Sequence, residues 1–106
     1  MNKFMRMLVF FDLPVSTRTE RRNASRFRNF LLSDGYHMIQ YSVYARVCNG
    51  MDSVKKHRSR LRDSLPDNGS VRLLIITEKQ FESIEIMLGA LTEADDSFQC
   101  EQLSIF

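Results

Sequence analysis

A chain of 106 residues, 43% of them apolar, has room for one domain with a core of its own. Its longest apolar runs, Met7–Phe11 and Leu73–Ile76, are too short for a membrane span or a secretory signal, so the expected compartment is the cytoplasm, with no membrane partner. The net charge of +2 conceals an asymmetry. Residues 1–72 carry fourteen Lys or Arg against six Asp or Glu, and residues 73–106 carry one Lys against seven acids. That division points to a basic surface for a polyanion and a separate acidic tail.

The first element is the strand ending Met7-Leu8-Val9-Phe10-Phe11-Asp12-Leu13-Pro14. Apolar residues on both faces mark a strand buried on both sides. Alternation sends Met7, Val9 and Phe11 one way and Leu8, Phe10 and Asp12 the other, so Asp12 leaves the core at the strand's carboxyl end. Thr17-Arg18-Thr19-Glu20 is a capping box, and a helix is expected from about Thr17 to Asp34, with Gly35 as its stop. Ala24, Phe27, Phe30 and Leu31 gather on one side of it. Arg18, Arg21, Arg22, Arg26 and Arg28 gather on the other, a face suited to a nucleic-acid backbone because arginine presents a planar fork of donors to phosphate. Leu32 falls near the arginines.

Tyr36 to Val47 reads as one long second strand, with Asn49-Gly50 as punctuation. A basic helix is expected over Asp52 to Leu65, carrying Lys55, Lys56, Arg58, Arg60 and Arg62. Its thin apolar stripe is Val54, Leu61 and Leu65, with His57 or Arg58 filling the gap. After the turn Pro66-Asp67-Asn68-Gly69, Ser70 to Thr77 is a strand and Thr77 to Phe81 a short helical turn. Ser83 to Leu88 alternates as a further strand. Gly89 to Ser97 is acidic, and Phe98 to Phe106 alternates as a tail strand that could cross to a second copy. The domain is therefore expected over residues 1–89, with an acidic linker and terminal strand over 90–106.

The fold expected is α+β: the ferredoxin-like βαββαβ order with an antiparallel sheet, both helices on one face, and an extra C-terminal strand. The other face has no helix to cover it, and the simplest cover is the same face of a second subunit in a two-fold homodimer. Cys48 and Cys100 have no Cys-x-x-Cys spacing and read as reduced thiols. His37 and His57 are the only histidines. Strand packing suits His37, and a phosphate contact or plain solvation suits His57 better than catalysis.

Phe10-Phe11-Asp12-Leu13-Pro14, Arg21-Arg22 with Arg26-Phe27-Arg28 and Phe30-Leu31, Gly35-Tyr36 leading into Gln40-Tyr41-Ser42-Val43-Tyr44, and Val71 to Phe81 with its Thr77-Glu78-Lys79-Gln80-Phe81 run occur in an order that resembles CRISPR-associated protein two. The last run most resembles members from type II systems. The resemblance implies a homodimer that bridges two dimers of the integrase, CRISPR-associated protein one, and holds double-stranded protospacer DNA by its phosphates during spacer acquisition. Arg18, Arg21, Arg22, Arg26, Arg28, Lys55, Lys56 and Arg60 are the candidate contacts.

Some family members are also described as metal-dependent endonucleases acting on RNA or double-stranded DNA. Their metal-linked aspartate matches Asp12, which makes it the candidate catalytic residue and ligand for Mg2+. One carboxylate is a poor magnesium site, and a two-fold axis that brought two Asp12 side chains together would improve it. The family's tyrosine before the aspartate is Phe11 here. Ser42 and Tyr44 could sit near the same cleft, though strand packing explains both equally well. An RNA-recognition module shares the element order but needs stacking aromatics on its third strand, and Val71 to Ile76 has none. A small metabolite-binding domain would not need the arginine face.

Overall fold

The run of apolar residues around Val9 takes the interior of the sheet, as its two-sided pattern requires. In a computed structural model that describes residues 4–89, the elements are β1 (Phe4–Asp12), α1 (Arg18–Ser33), β2 (His37–Gln40), β3 (Val43–Asn49), α2 (Met51–Asp63), β4 (Ser70–Thr77) and α3 (Glu78–Glu82). The sheet runs β2-β3-β1-β4 with every pairing antiparallel, the ferredoxin-like arrangement. Leu8 stands between Ala45 of β3 and Leu74 of β4, and Asp12 lies opposite Ser70.

The alternation read from β1 holds. Met7, Val9 and Phe11 join Phe27 and Leu31 of α1, Val54 and Leu61 of α2, and Tyr36, Tyr44 and Cys48 in the main core. Both long helices therefore cover one face of the sheet. Phe11 meets Phe27 edge-on at 5.3 Å between ring centroids.

α1 begins and ends where its local signals place it. Thr17 accepts from the Glu20 backbone N–H, and the Glu20 carboxylate accepts from the Thr17 N–H. At the other end the Tyr36 N–H donates to the Leu31 carbonyl and the Gly35 N–H to that of Leu32, a Schellman closure with Gly35 at φ +93°.

Three expectations are corrected. The long second strand is two strands, because Ser42 adopts a left-handed φ of +63° and turns the chain between β2 and β3, and this division, not a strand at Ser83 to Leu88, completes the βαββαβ order. Ser83 to Leu88 is not a strand. The Ser83 and Ile84 N–H groups fold back onto the Gln80 and Phe81 carbonyls, which takes them away from any ladder. The second sheet face is not wholly bare either: Phe81 of α3 covers Leu8 and Ala45, with Ile39 and Ile76 alongside. α3 is held there by Arg6, which pairs with Glu78 at 2.6 Å and lies 4.3 Å from the Phe81 ring centroid. Around this cover Phe4, Phe10, Val47 and Leu74 stay exposed.

Among the described residues no helix is long and apolar enough to cross a membrane. The expected linker and tail strand over 90–106 lie outside the described residues.

Candidate nucleic-acid interface

The helix layer turns its apolar side to the sheet, so its charged side must face outward. On α1, Arg18, Arg21, Arg22 and Arg26 are exposed and Arg28 half-buried; on α2, Lys55, Lys56, Arg60 and Arg62 are exposed. The structure thus leaves most of the predicted cations exposed on two helices that cover the same sheet face. They are not equivalent. Arg21 Nη1 donates to the Val15 and Ser16 carbonyls at 3.1 and 3.2 Å, bracing the loop before α1. Arg28 lies 5.9 Å from the centroid of the exposed Tyr41 ring. Arg60 is paired with a carboxylate. Arg18, Arg22 and Arg26 make no side-chain hydrogen bond or ion pair among the described residues.

That carboxylate belongs to Asp34, the residue closing α1, and it organises a polar cluster not foreseen from the sequence. Asp34 Oδ2 accepts from His57 Nδ1 at 2.8 Å and Asp34 Oδ1 from Arg60 Nη1 at 2.9 Å. Arg46 donates to the Asp34 backbone carbonyl, and its Nη1 sits 3.1 Å from His57 Nδ1. His57 is therefore neither a solvated residue nor a free phosphate contact: it is 5% exposed and fills the gap in the α2 stripe between Val54 and Leu61. Leu65, expected in that stripe, is exposed beyond the end of α2.

Burial alone would raise the Asp34 carboxyl, but hydrogen bonds from His57 and Arg60 and their positive charge outweigh it and hold the group below its ordinary value. A carboxylate depressed in the folded state stabilises the fold above its unfolded value of about 3.9, and that contribution is lost as pH falls through the folded value. Unfolding free energy measured against pH should therefore fall away below about pH 4. Asp34→Asn should flatten this acid limb, and equal pH dependence in both proteins would exclude Asp34 as its source. Burial and the Asp34 charge push the Tyr36 hydroxyl upward, so it stays neutral beneath Arg46.

Asp12 occupies the exposed end of β1, where two turns converge. On one side the Phe11 N–H donates to the Ser42 carbonyl at 3.1 Å. On the other, Gly69 packs so closely that a Cβ there would lie 2.7 Å from the Asp12 carbonyl oxygen. Ser42 thus lies, through its backbone, beside the residue that precedes Asp12. Tyr44 does not: it is buried among the core aromatics, 5.5 Å from the Phe11 ring, beneath the helix layer.

Arg72, a cation absent from the sequence-based candidates, is exposed on β4 opposite Phe10, which places it on the same sheet face as Asp12. The period-two pattern of β4 carried that signal. His37 is exposed in the edge strand β2. Among the described residues Asp12 belongs to no cluster of three or more His, Cys, Asp or Glu side chains. The donor set that the described residues of one chain offer at Asp12 therefore does not fit a magnesium ion, which prefers several oxygen ligands in octahedral geometry.

With this geometry in view, comparison with known proteins is informative. The family model described as CRISPR associated protein Cas2 matches residues 5–84. The chain is 50% identical over 102 residues to a CRISPR-associated endoribonuclease Cas2 of Acidovorax ebreus (strain TPSY), covering 96% of this chain and 100% of that one. It is 43% identical over 100 residues to the protein of the same name in Flavobacterium psychrophilum (strain ATCC 49511 / DSM 21280 / CIP 103535 / JIP02/86), covering 94% and 86%. A solved structure described as a crystal structure of cas2 superposes with a TM-score of 0.58 at 19% identity, over 86% of this chain and 93% of that one, which bears on the fold alone.

Proposed function

The chain belongs to the CRISPR-associated protein Cas2 family, and on that premise we propose that it is a subunit of spacer acquisition that holds double-stranded protospacer DNA by its phosphates. The observation that carries this reading is the outward face of the helix layer, where Arg18, Arg22 and Arg26 make no side-chain hydrogen bond or ion pair among the described residues and stand with the basic side of α2. Such a surface supplies charge without base-reading geometry, which is what sequence-independent capture of a duplex needs.

The working form is a homodimer. The second sheet face leaves Phe4, Phe10, Val47 and Leu74 exposed around α3, and a second copy would cover them. Residues 90–106, acidic and partly apolar, suit a protein contact, either within the dimer or with the two dimers of the integrase, CRISPR-associated protein one, that this subunit would bridge.

A second reading is favoured by the names of the relatives, which call them endoribonucleases. Here the chain would cut RNA or double-stranded DNA at Asp12. Asp12 lies on the sheet face that carries the exposed apolar patch, so a two-fold axis there would set two carboxylates near each other. A magnesium ion, a proposal that depends on that second copy, would have its ligands there.

One experiment separates the two readings: cleavage of duplex DNA and of RNA with magnesium by the purified protein and by Asp12→Asn, with binding of the same duplex followed in parallel. Binding without cleavage in either protein is the expected result for an architectural subunit. Cleavage that Asp12→Asn abolishes while binding persists would give Asp12 the catalytic role, and cleavage that survives the change would exclude Asp12.

A further inference from the structure

Among the cations on the outer side of the helix layer, Arg60 is in a distinct situation. Its Nη1 is committed to Asp34 Oδ1, yet its side chain remains 53% exposed, so the rest of the guanidinium is available to solvent. Asp34 itself is buried and held by several partners. Its side chain is 6% exposed, its second oxygen is taken by His57 Nδ1, and its backbone closes α1 while accepting from Arg46. An arginine on a flexible stem loses rotamer freedom when it meets a phosphate. Arg60, tethered to a buried carboxylate, has lost part of it already, and its neighbour one turn back on the exposed side of α2 is Lys56.

We infer that Asp34 is a positioning residue for polyanion binding: its carboxylate holds Arg60 so that the outward edge of that guanidinium meets a backbone phosphate. This rests on the phosphate-binding reading of the helix layer. A purely structural account of Asp34 has to be separated from it, because a buried carboxylate needs partners whatever the surface does, and Arg60 would serve as one of them.

The sign of one measurement separates the two. Asp34→Asn makes the chain one unit more positive, so a charge-only account has it bind a polyanion more tightly or unchanged. Positioning has it bind more weakly. The test is fluorescence anisotropy of a labelled random-sequence duplex with the full chain, comparing wild type, D34N, R60A, the D34N/R60A pair and R60K, with circular dichroism to verify folding.

R60A should weaken binding and lower the salt slope by about 0.9. D34N should weaken binding by about 3–10-fold, the immobilisation of one long side chain being what is lost, and should add nothing in the R60A background. R60K retains the charge but not the fork, and should also weaken binding. Should D34N not fold, R60K decides, because Arg60 is half exposed, and binding equal to wild type would overturn the inference. Unchanged or tighter binding by folded D34N, with R60A impaired, overturns the positioning role and leaves the surface reading intact. R60A that binds like wild type, or a wild type that does not bind duplex, removes both.

Discussion

Replacing Arg18, Arg22 and Arg26 together by alanine should sharply reduce duplex binding while leaving the fold slightly more stable. The three sit four residues apart on α1, so each faces a like charge one turn away. Like charges at that spacing destabilise a helix by about 0.2–0.5 kcal/mol per pair, and alanine is the better helix former. None of the three forms a hydrogen bond or ion pair with another side chain among the described residues, so the change breaks no such bond there. A row of charges that costs stability and forms no side-chain bond among the described residues is best explained by a partner that neutralises it.

Each phosphate neutralised steepens the dependence of log affinity on log salt by about 0.9, so the triple change should make the slope shallower by about 2.7. Titrations of a duplex between about 50 and 200 mM salt would measure this. An unchanged slope would place the polyanion on another surface. A large loss of stability would show that these arginines serve the fold.

Gly69→Ala should be the most damaging single change at the Asp12 end of the sheet. Gly69 has a φ of +103°, where an L-residue is strained, and the added Cβ would approach the Asp12 carbonyl oxygen to 2.7 Å and Leu13 Cδ2 to 2.8 Å. Backbone strain costs about 1–3 kcal/mol and overpacking about as much again. The total is a large share of a stability of about 5–15 kcal/mol. Because the clash is with β1 backbone, relief would come from opening the Asp12–Ser70 end of the ladder.

Gly50→Ala provides the control. Gly50 has a similar φ of +92°, but nothing lies within 4 Å of a Cβ there, so only the strain applies. Denaturant midpoints for the two variants should therefore differ, with Gly69→Ala the lower. Equal midpoints would show that the α2–β4 turn yields to the methyl group and that Gly69 does not brace Asp12.

The elements legible in the sequence were those whose causes are local. α1 carries its capping box and its glycine stop within its own length, and β4 is a run of β-branched and aliphatic residues between a Pro-Asp-Asn-Gly turn and a threonine cap. The division of residues 36–47 was not legible. No glycine, proline or Asn-Gly pair marks Tyr41–Ser42, and the turn rests on a serine held in a conformation that serine seldom adopts. Residues 83–88 misled in the opposite direction: alternation was present, but among the described residues they pair with no strand. At the site, the exposed arginines followed from helical spacing, but the Asp34–His57–Arg60 cluster did not. Its members lie 23 and 26 residues apart and meet only when α2 packs beside the end of α1.

The position of β1 has a consequence for how the chain is made. It is the first described strand to be synthesised, yet it lies inside the sheet, pairing on one side with β3 and on the other with β4, where Met5 faces Thr77. Until residue 77 has emerged from the ribosome, one ladder of β1 is an open edge lined with apolar side chains, the kind of surface on which nascent chains aggregate. Contacts of such long sequence separation also make folding slow relative to a helical protein of the same size. Ribosome-bound chains ending before β4 should therefore need a chaperone at this edge, and completion of β4 should release it.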